Sequence, residues 1–260
     1  MPMQRLWINF CKCSATQKKL WKACLTEAAK TYNLGGIYMD IMEAMKNRHS
    51  VRRYEDKPIE SETLNALQAE IAACNEESGL NIQLVTNEPE AFGGRMAHYG
   101  KFSGVSNYIA LVGKKQPGLD EKLGYYGERI VLKAQMLGLN TCWVAMSYSR
   151  GKSRCNVQKG EKLVLVISVG FGASQGHPHK SRAVEELYSA PDSAPEWFMR
   201  GMQAALLAPT AMNQQKFKFT LCADNTVKVE STGGFYSKVD LGIAKYHFET
   251  AAGKENFRWA

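Results

Sequence analysis

Arg48-His49-Ser50-Val51-Arg52-Arg53-Tyr54 places three guanidiniums, an imidazole and a hydroxyl in seven consecutive residues. Guanidinium forks match phosphate geometry, and a neighbouring hydroxyl adds a further donor. A charge cluster by itself is ordinarily a solvated surface segment, so the flanks decide. Upstream, a short apolar-periodic run predicts a helix over residues 40–47, capped by Asp40. Downstream, Glu55-Asp56-Lys57-Pro58-Ile59 is an extended, Pro-stopped exit towards a second helix. A second polar motif, Ala208-Pro209-Thr210-Ala211-Met212-Asn213-Gln214-Gln215, stands far along the chain at a helix-to-strand junction.

A chain of 260 residues with 45% hydrophobic and 22% charged content is a globular protein large enough to bury an ordinary core. The longest apolar run, residues 163–171, has the size of a buried strand and falls well short of a membrane span. The net charge of +8 is unevenly spread. Residues 1–38 hold Arg5, Lys12, Lys18, Lys19, Lys22 and Lys30 against Glu27 alone, a balance of +5, which leaves +3 for the remaining 222 residues. This is a basic leader on an ordinary domain, and it argues against a nucleic-acid partner. The seven cysteines, at positions 11, 13, 24, 74, 142, 155 and 222, include no C-x-x-C pair. They read as reduced thiols of a cytoplasmic protein without a disulfide framework or zinc.

Within the leader, Leu20, Trp21, Cys24, Leu25 and Ala28 share one face of an expected helix, and the domain itself opens at Met39-Asp40. Ser61 is expected to cap a helix with Leu64, Leu67, Ile71 and Cys74 on one face. Residues 81–86, 108–112, 142–145 and 162–169 read as extended, and the longest helix spans 121–137, stopped at Gly138. A helix from Pro195 should bury Phe198, Met202, Leu206 and Leu207. Residues 217–221 and 227–230 form a hairpin, and a last helix covers 239–252. Two helix-strand units align without gaps: residues 67–73 on 202–208, and 82–84 on 217–219. Gly127, Gly138 and Trp143 likewise share a spacing with Gly242, Gly253 and Trp259, within one position.

Several motifs fail on inspection. Gly170-Phe171-Gly172-Ala173-Ser174-Gln175-Gly176 has its third glycine one place late for a dinucleotide turn, and His177-Pro178-His179 follows where a helix should begin. Gly151-Lys152-Ser153 lacks the first glycine of a phosphate-binding loop, because Met146 stands there. His177 and His179 have no carboxylate or Cys nearby to complete a metal site.

Over residues 39–260, the pair of polar motifs resembles the nitroreductase-like family of FMN enzymes, whose hallmarks are an Arg-x-Ser-x-Arg opening and a Pro-Ser/Thr-x-x-Asn-x-Gln turn. The resemblance implies an α+β, nitroreductase-like fold, with a central, mainly antiparallel sheet flanked by helices. By it, Arg48, His49, Ser50 and Arg52 line the FMN phosphate and ribityl chain, and Lys180 and Arg182 form a late basic pair that closes over the phosphate. Lys101 matches a cation placed against the flavin pyrimidine. Trp143, Ala145 and Met146 match the segment that passes the flavin's reactive edge. Pro209, Thr210, Ala211, Asn213 and Gln215 close the other side of the ring system. The implied activity is an FMN-dependent oxidoreductase that takes hydride from NADH or NADPH and reduces a small-molecule acceptor such as a nitroaromatic or quinone. The flavin carries the chemistry, so no protein acid or base is expected. A non-catalytic flavin-binding or sensing protein is the alternative.

The sequence departs from the common family pattern in one respect. The turn belongs soon after the Arg-Ser opening, where Cys74, Asn75, Ser78 and Leu80 stand instead. This resembles a branch in which one chain imitates the family's homodimer. Residues 39–194 would then form one half-unit and 195–260 the other, in a monomer with no membrane or nucleic-acid partner.

Gly35-Gly36 lie just before Met39, and two adjacent Gly codons can spell the purine-rich bacterial ribosome-binding sequence. Met39 is therefore expected to be the true start, with residues 1–38 as translated upstream sequence. The gene's nucleotide sequence checks this: codons at Gly35 and Gly36 that cannot form such a site would overturn it.

Overall fold

The computed structural model describes residues 39–191 and 193–260; the expected leader helix and Cys11, Cys13 and Cys24 lie outside them. Asp40 opens helix α1 (Ile41–Asn47) as expected, its Oδ1 accepting the Glu43 N–H at 2.8 Å. Helix α2 (Ser61–Ser78) buries Leu67, Ile71 and Cys74 and stops at Gly79, where φ is +68°. Ser61 does not cap it. Glu60 takes that position without a side-chain bond, and Ser61 is already helical.

Strands β1 (Gln83–Val85), β2 (Tyr108–Lys114), β3 (Asn140–Val144) and β4 (Glu161–Gly170) form one antiparallel sheet in the order β1-β2-β4-β3. Between them lie the short α3 (Arg95–Tyr99) and the long α4 (Leu119–Met136). Strand β4 is buried from Leu163 onward, which is why its sequence is apolar without alternation. A second sheet runs β5 (Tyr188–Ser189), β6 (Phe217–Leu221), β7 (Thr226–Ser231) and β8 (Arg258–Trp259). Its central pair is antiparallel and both edge pairs are parallel. Helices α5 (Glu196–Ala205) and α6 (Ser237–Ala252) flank it.

The α+β fold with an antiparallel sheet flanked by helices is the one the resemblance implies, and a second four-stranded sheet accompanies it. The first sheet has an edge at β3. That edge is taken by the basic segment, through a Ser50–Thr141 bridge and a Val51 N–H to Thr141 carbonyl bond of 3.0 Å. Leu206 and Leu207, expected to be buried on α5, are only half-buried, because the helix ends at Ala205 and the chain turns away. Among the described residues, no helix is long and apolar enough to cross a membrane.

Helices α4 and α6 make the most extensive contact of any pair of elements. Their backbones touch because each carries a glycine at the crossing. A Cβ on Gly242 would overlap the Glu121 carbonyl oxygen, and one on Gly124 would overlap that of Val239. Around the crossing, Lys245 pairs with Glu121 and the Tyr125 hydroxyl donates to Glu249. Below it, Phe248 stacks on Phe219 at 4.8 Å and meets Phe198 edge-on at 5.5 Å. Gly242→Ala is expected to destabilise the protein by about 2–3 kcal/mol through overpacking, against the ~1 kcal/mol that alanine gains in helix propensity. The midpoint of denaturant unfolding reads this, and an unchanged or raised midpoint would show that the crossing has room.

Candidate functional site

Residues 48–54 run along the edge of the first sheet through isolated bridges at Ser50, Arg53 and Tyr54, so their side chains do not follow a strict strand alternation. Val51 and Tyr54 point into the core, with the Tyr54 hydroxyl donating to the Val51 carbonyl at 2.8 Å. Ser50, Arg52 and Arg53 face a cleft. The segment is laced on both sides: Ser103 N–H donates to Arg52 O at 3.0 Å, Tyr54 N–H to Ser103 O at 3.0 Å, and Ala173 N–H to Arg53 O at 2.9 Å. The basic residues therefore sit on a fixed frame.

The opposite wall is the turn after α5. Met212, Asn213 and Gln215 all have positive φ, at +51°, +54° and +46°, conformations that cost non-glycine residues of order 1–3 kcal/mol each. Dense bonding holds them there. Gln215 N–H donates to Thr210 Oγ1 at 3.0 Å, and the buried Gln215 amide bonds the Lys180 carbonyl at 2.9 Å and Asn213 Oδ1 at 2.9 Å. From the first turn of α6, the buried Asp240 accepts Ala211 N–H at 3.0 Å and Gln214 Nε2 at 2.7 Å.

Between these walls lies a cleft of about 580 Å³, lined by Arg48, His49, Arg52, Arg53, Lys101, His177 and His179 with no carboxylate among them. It shares Ser50, Arg52, Pro209, Thr210 and Met212 with a narrower space of about 130 Å³ between Trp143, Ala145, Leu165, Ala211, Val239 and Ile243. One end is cationic; the other sets the apolar side chains of Trp143, Leu165, Val239 and Ile243 beside polar groups that include Asp240. Burial, with the Arg48 charge close by, lowers the pKa of His49, and burial likewise lowers that of His179. Arg48 is 3% exposed, and its Nε and Nη1 have no hydrogen-bond partner.

The structure brings Arg48, His49, Ser50, Arg52, Lys101, Trp143, Ala145, Pro209, Thr210, Ala211 and Asn213 into this cleft, from both ends of the chain. It leaves out four residues expected there. Met146 is 66% exposed beyond Ala145 and lines neither space. Lys180 is exposed and contributes its backbone carbonyl to the turn. The exposed Arg182 guanidinium pairs with Glu186, four residues on, at 2.9 Å and lines neither part of the cleft. Gln215 braces the turn from behind. Sequence reading missed His177, His179, Met212 and Asp240. The two histidines had been weighed only as metal ligands, and no group of ligating side chains that could hold a metal exists among the described residues.

A family model described as "Putative TM nitroreductase" matches residues 40–252. The crystal structure of a putative nitroreductase from Thermotoga maritima matches with a TM-score of 0.63 at 21% identity, covering 86% of this chain and 88% of that one; at that identity the shared property is the fold. A putative nitroreductase in complex with FMN from Desulfovibrio desulfuricans matches at TM-score 0.46 and 19% identity, over 60% of this chain and 96% of that one. A nitroreductase with bound FMN from Bacteroides fragilis matches at TM-score 0.41 and 18% identity, over 55% and 94%. No curated protein sequence matches the chain.

Burial raises the Asp240 carboxyl to about 6 from an ordinary value of 3.8, against the opposing bonds from Gln214 and Ala211. Between those values the native state keeps a proton that the unfolded chain has released, so stability falls as pH rises through this window. The cost is on the order of 3 kcal/mol. Asp240→Asn is expected to flatten that slope. Urea unfolding of both proteins at about pH 4 and about pH 7 measures the difference, and parallel slopes would rule the assignment out.

Proposed function

Because the chain belongs to the family described as Putative TM nitroreductase, we propose that it is an FMN-dependent oxidoreductase using NADH or NADPH to reduce a small-molecule acceptor such as a nitroaromatic or quinone. When bound, FMN supplies the hydride chemistry, accepting from the nicotinamide and donating to the acceptor. The observation that carries this reading is the two-part cleft, cationic at one end and walled at the other by Trp143, Leu165, Val239 and Ile243. Arg48 makes the fit specific. Its guanidinium is buried, with Glu128 3.8 Å from Nε but no hydrogen bond to Nε or Nη1; it lines the cleft, and an anion there would supply the missing bonds. Arg48, Arg52 and Arg53 would hold the phosphate, with His49 and Ser50 as further donors. Trp143, Ala145 and the strained 209–213 turn would bound the ring system, and Lys101 would set a positive charge over the polar end. No side chain is assigned a proton-transfer role.

One chain supplies both walls. The basic segment comes from residues 39–194 and the turn from 195–260, as two subunits would in a dimer. This supports a monomer with one FMN per chain, since a second Arg-x-Ser-x-Arg is missing from the second half-unit.

The absorbance spectrum of the purified protein, and NADH or NADPH oxidation with and without added quinone, test the reading. Flavin bands with acceptor-dependent turnover are expected; bound flavin without turnover would leave a non-catalytic flavoprotein. Arg48→Ala is expected to weaken FMN binding roughly ten- to a hundred-fold, the size of a charge-assisted bond. Arg182→Ala should leave it unchanged, because that guanidinium serves Glu186. Equal losses in both variants would sink the placement, and two flavins released per chain would sink the stoichiometry.

A further inference from the structure

Arg48 stands at the cationic end of the cleft and Trp143 at the other end, yet both rest from behind on one carboxylate. Trp143 Nε1–H donates to Glu128 Oε2 at 3.0 Å, and Arg48 Nε lies 3.8 Å from Glu128 Oε1. Glu128 and His247 are wholly buried, with His247 Nε2 at 2.9 Å from Glu128 Oε1. The other imidazole nitrogen, Nδ1, is 3.0 Å from the Ala204 carbonyl in the last turn of α5. A carbonyl only accepts, so Nδ1 carries a proton; Nε2 and Oε1 must then share another between them.

A buried charged group of this kind is weak support for stability, since apolar packing of similar volume generally does as well. Its position gives it another consequence. Glu128 is hydrogen-bonded to Trp143 and ion-paired with Arg48 at 3.8 Å, and His247 ties it to α5, from whose end the 209–213 turn departs. We infer that Glu128, supported by His247, is the positioning residue of the cleft. It fixes Arg48 and Trp143 relative to one another, so that grip on the phosphate and surroundings of the ring are set together. A carboxamide cannot replace it, because its nitrogen would turn a donor towards Arg48, His247 or Trp143, each of which already donates or shares a proton.

The inference rests on the cleft holding FMN, and the full-length protein tests the two separately. FMN titration gives the dissociation constant, visible circular dichroism of the bound flavin at saturation reports its surroundings, and a thermal melt reports folding. Wild type is expected to bind FMN. Glu128→Gln should weaken binding about tenfold and change the flavin circular dichroism band even where fully saturated; Glu128→Asp should recover part of both. A loss confined to the melting temperature is what a merely structural role gives, and it would overturn the inference. If Glu128→Gln does not fold, His247→Gln keeps the carboxylate but removes its support, and the same two readouts must move in it. Unaltered affinity and circular dichroism in the folded variants would overturn the inference while leaving the FMN reading intact. Failure of wild type itself to bind FMN would remove both.

Discussion

Everything in the molecule that faces the cleft depends on how closely α4 and α6 approach. Helices ordinarily pack at 8–10 Å because side chains keep them apart. Here Gly124 and Gly242 remove the side chains at the crossing, and the backbones meet. The consequence is geometric: α4 belongs to the first sheet's half and α6 to the second's. The crossing therefore sets the separation between a basic segment laced to β3 and a turn held by the first residues of α6. A wider crossing would pull His247 away from Glu128 and carry Asp240, with the turn it holds, away from the basic segment.

The two walls of the cleft are stabilised in different ways. The basic wall is extended backbone stitched to neighbouring segments on both sides, a regular arrangement with little strain. The opposite wall stores strain in three left-handed residues within four positions and offsets it with side-chain bonds from Thr210, Gln215 and Asp240. Backbone strain of this kind persists only where surrounding contacts over-determine it. One product is the placement of Met212, 82% exposed yet lining both parts of the cleft.

Charge is also distributed unequally. The cationic end has no lining carboxylate, whereas Glu128 lies behind the wall under Arg48 and Trp143, and Asp240 holds the turn from the narrower part of the cleft. Such an arrangement leaves the cleft's positive field available to a ligand while each basic or strained element is anchored from the protein side.

The sequence by itself determined the elements and the two polar motifs. Helix faces such as Leu67, Ile71 and Cys74, the Asp40 cap and the β6–β7 hairpin are set by local periodicity and capping chemistry, which a few neighbouring residues carry. The same locality let Arg48, Ser50, Pro209 and Thr210 stand out, since each belongs to a short pattern. Tertiary structure alone decided which side chains reach the cleft. Arg182 has the right chemistry but meets Glu186 four residues on, and Met146 lies one step past the point where β3's surroundings end the wall. Glu128 and His247 read as an ordinary helical acid and an ordinary helical histidine. They become a site only because a glycine crossing brings together residues 119 apart in the chain, and no local pattern records a contact at that distance.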